Sequence, residues 1–185
     1  RMTVGDITFM FTFWWIVCIC AKISGSHFNP AVTIAMMLRK DTGTFSRPMG
    51  IAYMIVQVAG AIAGGFFGYL LTDNGGSMVI SRNRYIFQAC VSETFGTFLF
   101  VFVILTQTEN HTSFAKEPAL GALIIAATLG SVTYYNSERV PASINPAFAL
   151  AVQITAWIDN SSNARHIWVF LIFPMVGAIL AVIVY

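Results

Sequence analysis

The fold is decided by the stretch Ser24-Gly25-Ser26-His27-Phe28-Asn29-Pro30-Ala31-Val32-Thr33, which has a counterpart in Pro141-Ala142-Ser143-Ile144-Asn145-Pro146-Ala147-Phe148-Ala149-Leu150. In both stretches a run of small or polar residues ends in Asn-Pro-Ala, and an apolar segment follows. Asn is a good helix cap, and Pro at the first helical position gives up an N–H that has no partner there anyway. Asn29 and Asn145 are therefore predicted to cap two helices.

The two predicted helices are short. Apolar residues continue only over Ala31 to Leu38 and over Ala147 to Ile158 before charge returns. At ~1.5 Å per residue, about ten residues make a helix roughly half as long as a ~30 Å hydrocarbon core is thick. In a membrane protein, such a pair predicts two half-spanning helices whose N-termini meet near the midplane.

A single Asn-Pro-Ala also opens ordinary surface helices, but two copies on short apolar helices in an apolar chain are more specific. The pair resembles the signature of the aquaporin or major intrinsic protein family. Residues Ser24 to Thr33 match the first family motif closely, and the second motif matches only through Ala147. The resemblance implies an all-α membrane fold: an inverted repeat of tilted transmembrane helices plus two half-helices that carry Asn-Pro-Ala.

The composition independently indicates a membrane protein. Hydrophobic residues make up 57% of the chain and charged residues 10%, whereas roughly a quarter of the residues of soluble domains are charged. The net charge of +2 gives no reason to expect a nucleic-acid partner. The three cysteines, Cys18, Cys20 and Cys90, lie in apolar runs without metal-ligand or redox spacing and are expected to be packing residues.

Stretches that are largely free of charge predict five membrane-spanning helices. They cover Ile7 to Ala21, Pro48 to Thr72, Tyr85 to Leu105, Pro118 to about Tyr135, and Ile167 to Tyr185. In the second of these, Gly60, Gly64 and Gly68 recur every four residues, a pattern that lets membrane helices approach closely. We therefore expect close helix packing at the three glycines.

The two halves are unequal in length. Two predicted spans precede Asn145, counted from Tyr85, but only one precedes Asn29. If residues 1–72 and 85–185 are inverted repeats within one channel domain, as in many transport folds, a first helix and a C-terminal tail are expected to be missing. The six spanning helices of the family lead to the same expectation.

The residues of the two motifs favour a pore over a catalytic site. His27, His111 and His166 are far apart, no paired carboxylates share a polar face, and no metal or cofactor is expected. His27 is expected to be a hydrogen-bonded loop residue. Two facing helix N-termini would place positive dipole ends at the channel centre, where Asn29 and Asn145 would aim NH₂ donors into the lumen. Val32 would keep the opposite wall apolar.

Glu93 is the one charge inside a predicted span, and an isolated carboxylate there is costly and rarely idle. It could belong to a proton or ion pathway, or it could accept hydrogen bonds from irregular backbone near Arg139 to Ile144. The run Ser92 to Phe98 resembles the family helix in which a Glu braces the following half-helix loop. We therefore expect a structural buried acid.

The second motif departs from the family at Phe148, where the family usually has an Arg at its narrowest, outer constriction. By distance from the motifs, the other constriction positions are Phe9, Ala142 and either Thr133 or Ser131. This lining lacks the usual cation, and Arg139 is the nearby basic residue that could reach the mouth. An apolar residue after the second Asn-Pro-Ala is similar to the motif of unorthodox, often intracellular aquaporins, so both plasma and intracellular membranes remain open.

Three functions remain open at this stage. The favoured one is a passive channel for water or small neutral solutes such as glycerol, by resemblance a homotetramer in the lipid bilayer with one pore per subunit. A secondary transporter also uses broken helices and inverted repeats, but Glu93 is the one midplane charge available to it. A non-conducting structural membrane protein is the third.

Overall fold

A computed structural model describes residues 3–39, 45–76, 78, 80, 82–134, 140–158 and 166–185. Within these ranges the chain is helical and contains no β-strand. The helices are α1 Val4–Ser24, α2 Pro30–Leu38, α3 Arg47–Thr72, α4 Ile86–Thr108, α5 Pro118–Tyr134, α6 Pro146–Ile158 and α7 Ile167–Val184, with a 3₁₀ turn at Asn83–Tyr85. The prediction of an all-α membrane fold with two short helices is confirmed.

The sequence sets the ends of α1 through local hydrogen bonds. Thr3 and Asp6 form a capping box at its start, in which each side chain accepts from the backbone of the other residue. Gly25 ends the helix in the left-handed conformation, with φ at 74°, and its N–H donates to Ala21. This sharp stop turns the chain back toward the bundle, where the Ser26 hydroxyl donates to the carbonyl of Val17.

The two short helices are α2, with 9 residues, and α6, with 13 residues. At ~1.5 Å per residue they are roughly 14 Å and 20 Å long. Neither is long enough to cross a hydrocarbon core of ~30 Å. Both begin at the Pro of an Asn-Pro-Ala motif, as predicted.

Each short helix packs across onto the other half of the chain. Helix α2 lies against α7 as well as its neighbour α3, and α6 lies against α3 as well as its neighbour α7. Helices α1 and α5 pack on one another, and α4 packs along α7 and α5. This reciprocal arrangement brings the starts of α2 and α6 together.

Several helices are suited to cross a bilayer. In the part of the chain that the structure describes, four stretches are long and apolar enough: Val4–Ser24, Arg47–Thr72, Asn83–Thr108 and Ile167–Val184. The fifth predicted span, α5, has 17 described residues, and residues 135–139 that follow it lie outside the described ranges. Large apolar side chains such as Phe67, Phe87 and Ile183 are exposed on the surface, as expected for helices that face lipid.

The glycine expectation needs a correction. A Cβ built at Gly60, Gly64 or Gly68 would meet no atom within 4 Å among the described residues, so close helix packing is not seen at these positions. Close packing occurs instead at Gly177, where a Cβ would lie 2.2 Å from the carbonyl oxygen of Thr94. The reason is rotational: α3 meets α6 through the face that carries Gly65, one residue along from Gly64 and thus about 100° around the helix.

Candidate pore at the meeting point of the half-helices

The side chains of Asn29 and Asn145 connect the two halves of the chain. The Asn29 amide donates to the carbonyl of Ile144 at 2.8 Å, and the Asn145 amide donates to the carbonyl of Phe28 at 2.9 Å. Each Asn therefore reaches the residue that immediately precedes the other Asn. The two motifs meet through a reciprocal pair of hydrogen bonds.

The same side chains cap their own helices. The Oδ1 atom of Asn29 accepts from the N–H of Ala31 at 2.9 Å, and that of Asn145 accepts from the N–H of Ala147 at 3.0 Å. An Asn side-chain amide carries two N–H donors. The opposite half uses one donor of each amide. Within the described residues this leaves one N–H on each side chain, rather than the whole NH₂ group that was expected to face the lumen.

The remaining residues of the two motifs are packing residues. Ala31 and Ala147 are 0% and 1% exposed, and Pro30 and Pro146 are buried. A methyl is the largest side chain that such a fully enclosed position accepts without displacing its neighbours. The tripeptide thus supplies a cap, a preorganised first residue and a small contact surface.

Phe28 and Ile144 adopt backbone conformations that are rare for their types. Their φ angles are 49° and 56°, in the left-handed region where a β-branched residue such as Ile144 is a marked outlier. Such a residue persists only where its surroundings hold it. Here the left-handed turn precedes each Asn, and the carbonyl of the turning residue accepts from the opposite Asn.

Glu93 on α4 is completely buried and faces the loop that leads into α6. Its two carboxylate oxygens accept from the N–H groups of Ser143 at 2.6 Å and Ile144 at 2.9 Å. Both donors belong to irregular backbone that would otherwise be unpaired inside the protein. Glu93 thereby fixes the segment whose carbonyl receives the Asn29 amide.

His27 is 9% exposed, and its Nδ1 lies 3.2 Å from the hydroxyl of Thr33. The same hydroxyl accepts from the Gln57 amide of α3 at 2.8 Å. The rings of Phe45 and Tyr53 pack around the imidazole. The expectation of a hydrogen-bonded loop histidine is confirmed.

The expected constriction residues lie on four different segments. Phe9 on α1 and Phe148 on α6 are 47% and 46% exposed, and Ala142 is half-buried in the loop before α6. The Thr133 hydroxyl donates to the carbonyl of Leu129 on its own helix, at 2.9 Å.

Two further residues were considered for the constriction: Ser131 as the alternative to Thr133, and Arg139 as a basic residue near the mouth. Ser131 lines a surface groove together with Phe87, Val91 and Phe95 of α4, and Thr133 stays a prediction for the fourth position. Arg139, the basic residue that could reach the mouth, lies outside the described residues.

An aromatic row was missed by the sequence analysis. Phe9 stacks on Phe13 with ring centroids 6.5 Å apart, and Phe13 contacts Phe28 and Phe100 at 6.5 and 6.3 Å. The i, i+4 spacing of Phe9 and Phe13 on one helix face was the available signal. The row connects the expected constriction to the residue that precedes Asn29.

A cavity of about 200 Å³ lies beside this row, between α1, α2, α4 and α5. Val32 lines it and is otherwise buried in the core at 2% exposure, which places its side chain on an apolar wall. Two half-helices that meet by their N-termini inside a bundle of apolar helices are typical of an integral, multi-pass membrane protein.

Comparison with known proteins gives the same class. The profile of the major intrinsic protein family matches residues 3–185. Glycerol uptake facilitator protein-like 6 of Lactiplantibacillus plantarum is 33% identical over 170 residues, which cover 86% of this chain and 72% of that protein. Aquaporin-5 of Mus musculus is 33% identical over 171 residues, with 88% of this chain and 60% of that protein covered. The chain belongs to the major intrinsic protein family.

The fold is also found among solved structures. The X-ray structure of the aquaglyceroporin from Plasmodium falciparum matches with a TM-score of 0.82 and 18% sequence identity, over 97% of this chain and 79% of that one. The chain spans 60% of the length of several curated relatives, among them the probable aquaporin PIP2-8 of Oryza sativa, which is 28% identical.

Proposed function

We propose that the full-length protein is a passive transmembrane channel for water and small neutral solutes such as glycerol. The observation that carries the proposal is the reciprocal hydrogen bonding of Asn29 and Asn145 to the carbonyls of Ile144 and Phe28. Membership in a family whose relatives include a glycerol uptake facilitator and aquaporins supports it. The protein acts without catalysis in this proposal, and water or a neutral solute is its partner.

Exclusion of cations follows from the central geometry. The N-termini of α2 and α6 both point at the meeting place of the two motifs, and each carries the positive end of a helix dipole. A permeating water or hydroxyl group can accept from the remaining Asn N–H groups, whereas a cation meets an unfavourable field. The central pair therefore orients neutral solutes and repels positive ones.

The second narrow region is proposed to be lined by Phe9, Thr133, Ala142 and Phe148. The Thr133 hydroxyl already donates to Leu129, which leaves the oxygen of that group as an acceptor. The lining has two half-exposed phenylalanines and no arginine. It therefore favours a solute that carries apolar CH groups on one side over single-file water. Where this lining is narrow, its apolar phenylalanine rings exclude water (dewetting), and the flux of water falls.

The transporter alternative depends on Glu93, and the contacts of this residue weigh against it. Both carboxylate oxygens are engaged by backbone N–H groups of Ser143 and Ile144. A coupling carboxylate must release and rebind a proton or an ion, which would here break the bonds that hold the α6 loop. We therefore assign Glu93 a bracing role.

The larger organisation is also part of the proposal. Residues 1–72 and 85–185 are taken as two inverted repeats of one channel domain. The crossed packing of α2 on α7 and α6 on α3 supports this division. A homotetramer with one pore per subunit is proposed from the family resemblance.

Stopped-flow swelling of proteoliposomes that contain the full-length protein tests the proposed function. A channel gives water and glycerol fluxes above those of protein-free liposomes without any ion gradient. Flux that appears only with a gradient would identify a transporter instead. If neither condition gives flux, the protein is a structural membrane protein.

A further inference from the structure

The 200 Å³ cavity lies on one side of the paired asparagines. It extends from the loop before α2 to the far end of α4, where the lining consists of Gln107 and Thr108 together with Ala115 of the following loop and Pro118 at the start of α5. A volume of this size holds several water molecules. Its wall is largely apolar, with contributions from Phe13, Val32, Phe100, Ile104 and Ile125.

The polar side chains of the cavity differ in how far they are satisfied. The Ser26 hydroxyl donates to Val17. The Thr108 hydroxyl donates to Ile104 at 2.8 Å and accepts from the Arg39 guanidinium at 2.9 Å. Gln107 is the exception, because its Oε1 atom is buried and has no hydrogen-bond partner among the described residues.

A buried amide oxygen that has no partner in the described ranges can be satisfied by a molecule that enters the cavity. Buried polar side-chain atoms are rarely left unpaired, and water or a ligand commonly satisfies those that have no protein partner. Oε1 of Gln107 can accept up to two hydrogen bonds. The cavity beside it is the available route for a molecule that brings a donor.

We propose that Gln107 is a specificity-determining residue that accepts a hydrogen bond from the hydroxyl group of a permeating polyol such as glycerol. This inference rests on the proposed channel function. It adds a second solute-binding site to the proposed pore, away from Asn29 and Asn145. A hydroxyl group satisfies Gln107, while the CH groups of the same molecule lie against the neighbouring apolar wall, to which Ile104 contributes one turn back on α4. Water supplies the donor but leaves the apolar wall poorly covered, so the site selects for amphipathic solutes.

The test compares Gln107→Met with the wild type in full-length protein reconstituted into liposomes. Met has nearly the length of Gln and no amide, so the cavity keeps its shape while the acceptor is lost. Removing one net hydrogen bond is expected to lower glycerol flux roughly two- to tenfold. Water flux should fall less, so the ratio of glycerol to water permeability decreases.

The matched control is Gln88→Met, the same change on the same helix at an exposed position. It should leave both fluxes at wild-type values. Gln107→Leu is a second variant with the same expected loss of selectivity, and fluxes are normalised to folded protein by gel filtration. A wild-type ratio in either folded Gln107 variant overturns the role of Gln107 and leaves the channel intact. Absence of any flux in the wild type overturns both proposals.

Discussion

The side-chain amide of Asn29 donates to the carbonyl of Ile144 across 115 positions of sequence. In the same way, the Asn145 amide donates to the carbonyl of Phe28, 117 positions away. Because each Asn also caps its own helix, one side chain fixes both the start of a half-helix and the opposite half-helix loop. The geometry at the meeting point of the two half-helices therefore depends on two amides.

Asn29→Asp is expected to destabilise the protein. The substitution keeps the oxygen that caps α2 but replaces the donor to Ile144 with a second acceptor. A carboxylate at a helix N-terminus gains at most ~1 kcal/mol at ordinary sites. Leaving the buried carbonyl of Ile144 unpaired costs ~1–3 kcal/mol, and its repulsion from the new carboxylate adds to this cost. The cost therefore exceeds the gain at the helix N-terminus. The measurement is the thermal unfolding midpoint in detergent.

The control for this variant is Asn74→Asp. Asn74 lies in an exposed turn and uses its side-chain oxygen to accept from Gly76 at 2.8 Å, an acceptor that Asp retains. Equal unfolding midpoints for the two variants would show that the Asn29 donor contributes nothing to stability.

Glu93→Gln is expected to lower the yield of folded protein. A Gln side chain offers one acceptor oxygen where Glu93 offers two, so the N–H of Ser143 or Ile144 loses its partner. Hydrogen bonds to charged groups contribute ~1.5–3 kcal/mol each. The exposed Glu117→Gln is the matched control, with gel filtration as the readout. Normal yield together with a lost pH dependence of transport would instead favour a proton pathway.

Gly177→Ala is expected to disrupt the contact between α7 and α4. The added methyl would lie 2.2 Å from the carbonyl oxygen of Thr94 and 2.9 Å from the N–H nitrogen of Phe98. Backbone cannot move aside easily, so the helices must separate at a cost of ~1–3 kcal/mol or more. Thermal unfolding in detergent measures the loss.

Gly130→Ala provides the comparison for Gly177→Ala. Its methyl would meet the flexible Met10 side chain at 3.5 Å, an ordinary contact distance. The variant should unfold near the wild-type temperature. If Gly177→Ala does the same, the α4–α7 interface is looser than the structure indicates.

Phe148→Arg is expected to change the selectivity of the proposed second constriction. An arginine adds fixed donors and a positive charge, so water flux should rise relative to glycerol flux and any residual cation leak should fall. Phe148→Leu keeps the position apolar and should retain the wild-type preference for glycerol. Water, glycerol and cation fluxes are measured in the same liposomes. No change in any of the three for the Arg variant would remove Phe148 from the lining.

The sequence by itself determined the features that depend on neighbouring residues. Asn followed by Pro specifies a helix start wherever it occurs, and apolar runs of about ten residues limited α2 and α6 to half-spanning length. The scarcity of charge predicted a membrane fold. A lone carboxylate at Glu93 indicated a buried acceptor, because a charge in a membrane helix needs donors close by.

Only the tertiary structure decided which groups meet. The carbonyls that receive the two asparagine amides belong to residues with left-handed backbone, and this conformation is held by packing rather than preferred by Phe28 or Ile144. Gly60, Gly64 and Gly68 follow the spacing of a packing motif, yet α3 meets α6 through Gly65. The buried oxygen of Gln107, which lacks a hydrogen-bond partner in the described part of the chain, was equally invisible in the sequence. Capping and hydrophobicity act over a few residues, whereas the rotation of a helix and the partner of a buried amide depend on segments that are distant in the chain.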